Sequence, residues 1–579
     1  MILLVVETEG KRSALLNSLR KMSLNNDVHV VSTNGHYMDL PKSSIGFGRK
    51  DFSPSWKITN PYTFSLLKKA VETSSEVVSF FDFSPEGELL SQHLQHTASN
   101  SGKTFRRIRP SSLDLTNLSA SLESSGDCID TNLSNSFLAR EVVDRIARFV
   151  LSPRISSILG RDVELSYFIP VLSAVARRER SIRKFRPDKA YEVRALLSDG
   201  SYSSWVFASE NEAEDFAQKL KSSSVVYSSN KKASVVPGLF SLSSLLSFCF
   251  SRYGIDARSC IEICTSLYSR GLTSYPMVSG NEMPLAAANR VRDFISERMM
   301  GAHLSASPSF VGNSFGIYPT DFYFEPSKTD LRSKERDVYS AIWFRTAGSQ
   351  GTNSLIECHS ASFYNSSDLM GSIQGTSVHT PGWHQLSGRI FEPSHSPIES
   401  DSVLADVSVV EVTSRSPVRM HYNSIIEWMT NHFFGFPHTY TKALNWMSNN
   451  SYVEFGGGGV ATLTPKGEVV LTAVRRALPD LLDPDMAAQV EEDVGRVAEG
   501  RPINEFVSEY WEWSDTLLSS SRVKNLRPSF LSPSGSKMKV ILSSKGKPYA
   551  EDNSGWTCYV RFDEKGRIVQ EQPTSLASQ

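Results

Sequence analysis

The chain has 579 residues, room for about three to five domains. At 40% hydrophobic and 21% charged it has an ordinary soluble globular composition, able to bury several cores. Its 61 Lys+Arg against 62 Asp+Glu leave a formal net charge of −1, which excludes a uniformly basic surface, so any phosphate-binding patch must be local.

Met1-Ile-Leu-Leu-Val-Val6 is apolar, lacks a basic flank and runs straight into Glu7-Thr-Glu9. It reads as a buried first strand and not as a signal peptide. No apolar run is long enough to cross a bilayer, and an intracellular, soluble protein of the cytoplasm, nucleoid or another DNA-containing compartment is expected. Lys11 to Met22 has helical spacing, Val28 to Ser32 is a second strand, and Glu76 to Phe83 a third that ends in acidic residues. This alternation over 1–150 predicts a mostly parallel α/β sheet. In such sheets chemistry sits at the carboxyl ends of the strands, where Glu7 and Asp82 fall.

Residues 136–185 show helical spacing through Phe137, Val142, Val143, Ile146, Phe149 and Val150. Residues 190–235 turn strand-like and 240–300 helical again. Six cysteines make no disulfide framework and imply a reducing interior. Cys260 and Cys264, four apart in the helical stretch, read as two core thiols, since two further metal ligands are not evident nearby. From 330 to 415 the chain is β-rich and Ser/Thr/Gly-rich; 420–515 returns to helix. Gly456-Gly-Gly-Gly459 reads as a hairpin turn, because no strand–loop–helix with a following Lys frames a phosphate loop. The tail from about 516 is rich in Ser, Lys and Pro, with a small strand-like unit around Trp556 to Phe562. Two basic clusters, Arg106-Arg107-Ile-Arg109 and Arg177 through Lys184, fit solvated helix faces and a phosphate track equally.

Four groups carry candidate chemistry. Glu7 and Lys11 open the α/β region. Asp82-Phe-Ser-Pro-Glu86-Gly-Glu88 follows the third strand; carboxylates clustered at a strand end suit a magnesium ion, although such a cluster taken alone is more often solvated surface. Gly35-His36-Tyr-Met-Asp39-Leu-Pro41 is the third group. The fourth is Leu267-Tyr-Ser-Arg-Gly-Leu-Thr-Ser-Tyr275-Pro276, in which Tyr275 is either half-buried packing or a nucleophile.

Taken in order, these segments resemble the type IA DNA topoisomerases. Glu7 with Lys11 four residues on matches the family's opening. Ser32 to Lys42, then Asp51-Phe-Ser-Pro54, match its next segments, and 82–88 its D-x-D-x-E-G-E Toprim motif. Ala139-Arg-Glu-Val-Val-Asp144-Arg145 through Pro153 is similar to its entry helix. Pro237 to Leu245 and Leu267 to Pro276 match the lead-in and the tyrosine segment. Gly435-Phe-Pro-His-Thr439-Tyr440, Ser451 to Val453, Leu463 to Gly467 and Val494 to Gly500 match its later segments. The matches run over about 1–515.

The resemblance implies a multidomain α/β and α+β chain. A Rossmann-like Toprim domain (1–140) would join a toroidal core around a hole for DNA. That core would hold a helical, winged-helix-like DNA-binding domain (141–190 and 415–515), a β-rich arch (191–245 and 330–414) and a tyrosine-bearing helical domain (246–329). A small tail domain (516–579) lacks the zinc-ribbon cysteines of many relatives, so no zinc is expected. It further implies Tyr275 as nucleophile forming a 5′-phosphotyrosyl link, Glu7 protonating the leaving 3′-oxygen, Lys11 offsetting phosphate charge, and Mg2+ at Asp82, Glu86 and Glu88 assisting rejoining. His36, Asp39, Arg145, Thr439 and Tyr440 would support the site or the DNA. The implied partner is single-stranded or negatively supercoiled DNA, with RNA an alternative, and no membrane.

The departures fall on charged positions. The second Toprim aspartate is Ser84 and the arginine beside it Pro85. The arginine after the tyrosine is Met277. In Ser314-Phe-Gly-Ile-Tyr318-Pro-Thr320 the family's histidine and arginine are replaced by Ser314 and Tyr318. Two readings follow: a working topoisomerase of altered activity that relaxes negative supercoils, or a catalytically impaired relative that binds nucleic acid or a protein partner. A Toprim nuclease or primase is disfavoured, because those lack the later tyrosine segment.

Overall fold

Residues 1–22, 27–110, 123, 125–299, 303–312, 314–391, 397–520, 526–563 and 566–571 are described by the structure, a computed structural model. The chain divides into two compact units. One comprises Met1–Lys184, Leu242–Met277 and Arg419–Gln579; the other comprises Phe185–Ser241 and Val278–Val418.

The first unit opens with β1 (Ile2–Val6), α1 (Glu9–Lys21), β2 (Val28–Ser32), α2 (Pro61–Thr73), β3 (Glu76–Ser79), α3 (Pro85–Asn100) and β4 (Thr104–Arg107). The four strands are parallel, in the order β2-β1-β3-β4. Leu3, Leu4, Val5 and Val6 are all fully buried. Their unbroken apolar run follows from helices covering both faces of a parallel sheet. Leu4 and Val6 pack with Leu15 and Leu19 of α1; Leu3 and Val5 pack with Leu67 and Val71 of α2 and Leu90 and Leu94 of α3. From β1 the chain goes through α1 to β2 on one side, then returns through α2 to β3 on the other. The order therefore reverses between β1 and β3, and ligand sites in such sheets form beyond the carboxyl ends at this point.

The rest of this unit is mainly helical. It holds α4 (Thr131–Ile146), a π-helical turn at Ala147–Leu151, the Ile169–Lys184 helix, α5 (Ala257–Ser269) and a set of helices between Tyr422 and Ser520. Arg140 of α4 pairs with Glu491 of the Pro484–Ala498 helix at 2.8 Å, joining segments far apart in sequence. The glycine run forms the expected turn: Val453–Phe455 and Ala461–Leu463 pair antiparallel around it. The described part of the tail is larger than expected, a four-stranded antiparallel sheet from Lys539–Leu542 to Ile568–Gln570. One of its turns is held by Asp552, whose carboxylate accepts from the Ser554 hydroxyl and from the Ser554 and Trp556 amides. Residues 572–579 lie outside the described residues.

In the second unit, Ser224–Ser234, Ser354–Asn365 and Asp368–Thr380 form one antiparallel sheet, and Lys189–Leu197, Tyr202–Phe207 and Leu404–Thr413 another. Val193, Ala195, Phe363 and Ile373 share a core with Ala213, Ala217 and Leu220 of a Glu210–Lys221 helix. That helix interrupts the stretch expected to be strand-like, and a Ser333–Ser349 helix interrupts the expected β-rich stretch. The division between units falls at Met277/Val278, inside the single 246–329 domain expected from sequence.

Asp144 of α4 is half-buried and accepts a hydrogen bond from the Ser166 hydroxyl. Burial, then the nearby Glu141 charge, pushes its pKa from 3.8 up to about 6. The native state thus holds a proton that the unfolded chain releases, so stability falls as pH rises through this window and stays reduced above it. A shift of two units corresponds to about 3 kcal/mol. Asp144→Asn is therefore expected to stabilise the protein by up to about 3 kcal/mol at neutral pH and little at a pH of about 4. Urea unfolding at both pH values checks this, and an equal effect at both would refute the assignment.

Candidate active site

Glu7 directly follows β1, and Thr8 caps α1 by accepting the Lys11 amide. Lys11 stands one helical turn beyond Glu7, so its side chain reaches back across the strand end. Its Nζ lies 2.6 Å from Glu7 Oε2 and 2.5 Å from Asp82 Oδ1. Asp82 arrives from the neighbouring β3, and its amide donates to Glu7 Oε1. The switch point thus gathers two carboxylates around one ammonium. Lys11 is 3% exposed, which makes this a desolvated cluster and not a surface ion pair.

The tyrosine segment completes it. Cys260, Cys264, Leu267 and Tyr268 form the buried face of α5. Tyr268 donates its hydroxyl to Asp82 Oδ1 at 2.6 Å, and Lys11 Nζ lies 5.2 Å from its ring centroid. Tyr275 sits edge-on to Tyr268, with centroids 5.4 Å apart and planes at 69°. Two glycines permit these approaches. A Cβ on Gly10 would meet Ser269 Cβ at 3.2 Å, and one on Gly87 would strike the Asp82 carbonyl oxygen at 2.2 Å. Tyr268 was not singled out from sequence; the available signal was a polar-tipped aromatic on a buried helix face, which needs a partner.

Burial, then Asp82, raises the Glu7 pKa, with Lys11 opposing. Burial disfavours charge on Lys11, but Asp82 and Glu7 outweigh it and hold its pKa above the ordinary lysine value. Burial and the charges of Asp82, Glu7 and Glu86 push Tyr275 well above the usual phenol. At neutral pH the nucleophile candidate is therefore a neutral phenol beside a cluster biased toward holding protons.

The expected magnesium ligands do not converge. Asp82 faces Lys11 and Tyr268. Glu86 lies 2.9 Å from His36 Nε2. Glu88 is fully buried and accepts from Arg107 and Arg109 on Oε1 and from the Asp130 amide on Oε2. Ser84 turns inward to cap α3, accepting the Gly87 amide. Among the described residues no three His, Cys, Asp or Glu side chains come together as a metal site. Asp82, Glu86 and Glu88 thus each have other partners and do not form one ligand set for the ion expected from sequence.

His36 stacks on Phe137 at 5.5 Å; burial opposes its charge, but Glu86 outweighs this and raises its pKa. Asp39 accepts the Leu40 amide. Arg145 points its guanidinium at the carbonyls of Leu40, Pro41, Ser44 and Ile45, which ties the 36–45 loop to α4. Thr439 is fully buried and exchanges hydrogen bonds with the Phe436 backbone, and Tyr440 is also buried. Arg145, Thr439 and Tyr440 support the unit from within. Arg106 is paired with Glu76, so the 106–109 cluster is an ion-pair network and not a phosphate track. Of the altered positions, Met277 is half-buried. In the second unit, Ser314 binds Glu282 through its amide and Tyr318 is buried.

The sequence profile described as DNA topoisomerase matches residues 128–507. The chain belongs to the type IA DNA topoisomerases. It is 25% identical over 533 residues to DNA topoisomerase 1 of Aquifex aeolicus, covering 86% of this chain and 96% of that protein. It is 23% identical to the Thermotoga maritima DNA topoisomerase 1, covering 88% and 84%. The solved structure of full-length topoisomerase I from Thermotoga maritima superposes with a TM-score of 0.78 at 20% identity, over 98% of this chain and all of that one. This type IA relative therefore has the fold of a full-length enzyme. The family profile includes Tyr275, while Glu7, Lys11 and Asp82 precede it. No helix among the described residues is long and apolar enough to cross a membrane.

Proposed function

We propose that this chain is an active type IA DNA topoisomerase whose nucleophile is Tyr275. The carrying observation is convergence: Glu7, Lys11 and Asp82 meet at one strand switch point, and Tyr268 links them to Tyr275. Burying two carboxylates around an ammonium carries a large desolvation cost, which a body kept only for binding has no need to bear.

In cleavage, the Tyr275 Oη attacks a phosphodiester of a single DNA strand and passes its proton to solvent water. A phosphotyrosyl bond to the 5′ side forms as the bond to the 3′-oxygen breaks. Glu7, with its raised pKa, donates a proton to that leaving oxygen. Lys11 supplies the fixed positive charge that Met277 cannot. Rejoining reverses each transfer: the 3′-hydroxyl attacks phosphorus, Glu7 takes its proton, and Tyr275 leaves and recovers a proton from water. Passage of the other strand between the two steps relaxes negatively supercoiled DNA.

An end-labelled single-stranded oligonucleotide is mixed with the full chain, denatured and resolved. A protein-linked DNA band is expected, and Tyr275→Phe is expected to abolish it. DNA binding without any band would sink the catalytic reading and leave a binding-only relative; an RNA strand run beside it reports the sugar preference.

A further inference from the structure

The divergence of the expected metal ligands has a structural counterpart, for the space between Glu7 and Asp82 is already filled by a cation. Lys11 Nζ touches both carboxylates. The other oxygen of Glu7 is taken by the Asp82 amide and Asp82 Oδ1 also receives Tyr268. Magnesium is usually held by one or two carboxylates, with waters and substrate phosphate completing its octahedron; of the Glu7 and Asp82 oxygens, three are already engaged by Lys11, the Asp82 amide and Tyr268. Ser84 replaces the carboxylate that would have stood next along the loop, and its hydroxyl is held by the Gly87 amide. Glu88 is locked by Arg107 and Arg109. Displacing Lys11 to admit an ion would leave a buried ammonium without a partner.

We propose that the Lys11 ammonium takes the place of a divalent cation in this site, so that both cleavage and rejoining proceed without divalent metal. The inference rests on Tyr275 being the nucleophile.

The test uses the full chain in two independent measurements. Cleavage and resealing of an oligonucleotide, and relaxation of a negatively supercoiled plasmid, are followed in EDTA and in magnesium. Binding of Mn2+ is titrated by electron paramagnetic resonance, with Asp82→Asn as the site control. Expected are resealing rates within about twofold in the two buffers and no saturable Mn2+ binding that Asp82→Asn removes. Resealing slower by about tenfold or more in EDTA, or Mn2+ binding lost in Asp82→Asn, overturns the proposal. If no covalent complex forms in either buffer, the nucleophile reading fails instead, and the Mn2+ titration alone still decides whether the site takes a metal.

Discussion

Lys11→Met is expected to lower the rate of covalent complex formation by about a hundred- to a thousandfold and to destabilise the first unit by about 3–5 kcal/mol. Both effects come from the same contacts. The ammonium is the only cation touching the buried Glu7 and Asp82 side chains among the described ion pairs, and methionine keeps its length without its charge. The two carboxylates would then face each other across a desolvated gap and only one could remain ionised. Lys11 at present lowers the Glu7 pKa against burial and Asp82, so its loss lets that pKa climb further. A general acid works in its protonated form, so cleavage declines as pH rises through the Glu7 pKa. In Lys11→Met that declining limb is expected to move to higher pH even as the rate falls. Single-turnover cleavage across a pH series measures both at once. A rate near that of the unaltered chain, or an unmoved limb, would show that Lys11 neither stabilises the phosphate nor tunes Glu7.

Much of this site was readable from sequence, because strand ends and helix spacing are local properties. An apolar run ending in Glu7 places a carboxylate beyond a buried strand, and four residues on a helix bring Lys11 back to it. Asp82 follows from the same reasoning applied to β3. What could not be read was partnership across distance. Glu88 looked like a ligand and Arg107 like part of a basic patch, since sequence does not show that a residue at the start of α3 and one ending β4 point at each other. Arg145 likewise looked available for DNA, although four carbonyls of one loop claim it. The missed helices have a different cause. Ala213, Ala217 and Leu220, and Val338 and Ile342, do carry helical spacing. They lie in stretches whose Ser, Thr and Gly content, or flanking strands, suggested extended chain, and their small or aromatic apolar residues make the periodicity faint.

Glu88→Gln separates the structural from the metal-binding reading of the 82–88 loop. Arg107 is buried beside Glu88 and also donates to the Phe81, Asp82 and Ile108 carbonyls. Its guanidinium is therefore the clamp that holds the Asp82 backbone in place, and Glu88 is its counter-charge. A glutamine keeps the volume and an acceptor but leaves the guanidinium without a carboxylate in a region that water does not reach. Loss of one partner from a buried pair costs about 3–5 kcal/mol, so a large drop in thermal midpoint and faster proteolysis between residues 82 and 109 are expected. Cleavage should fall in parallel, because Asp82 loses its anchor. Replacing Glu88 and Arg107 together by methionine is expected to recover part of the stability lost in either single variant, since the fully buried charge goes with its partner and the part-exposed Arg109 is left to water. A metal ligand behaves in the opposite way: its loss alters ion binding and resealing while leaving the fold intact, and removing Arg107 as well rescues nothing. Unchanged stability in Glu88→Gln, with resealing that now responds to added magnesium, would return Glu88 to the ligand set and undo the ion-pair assignment.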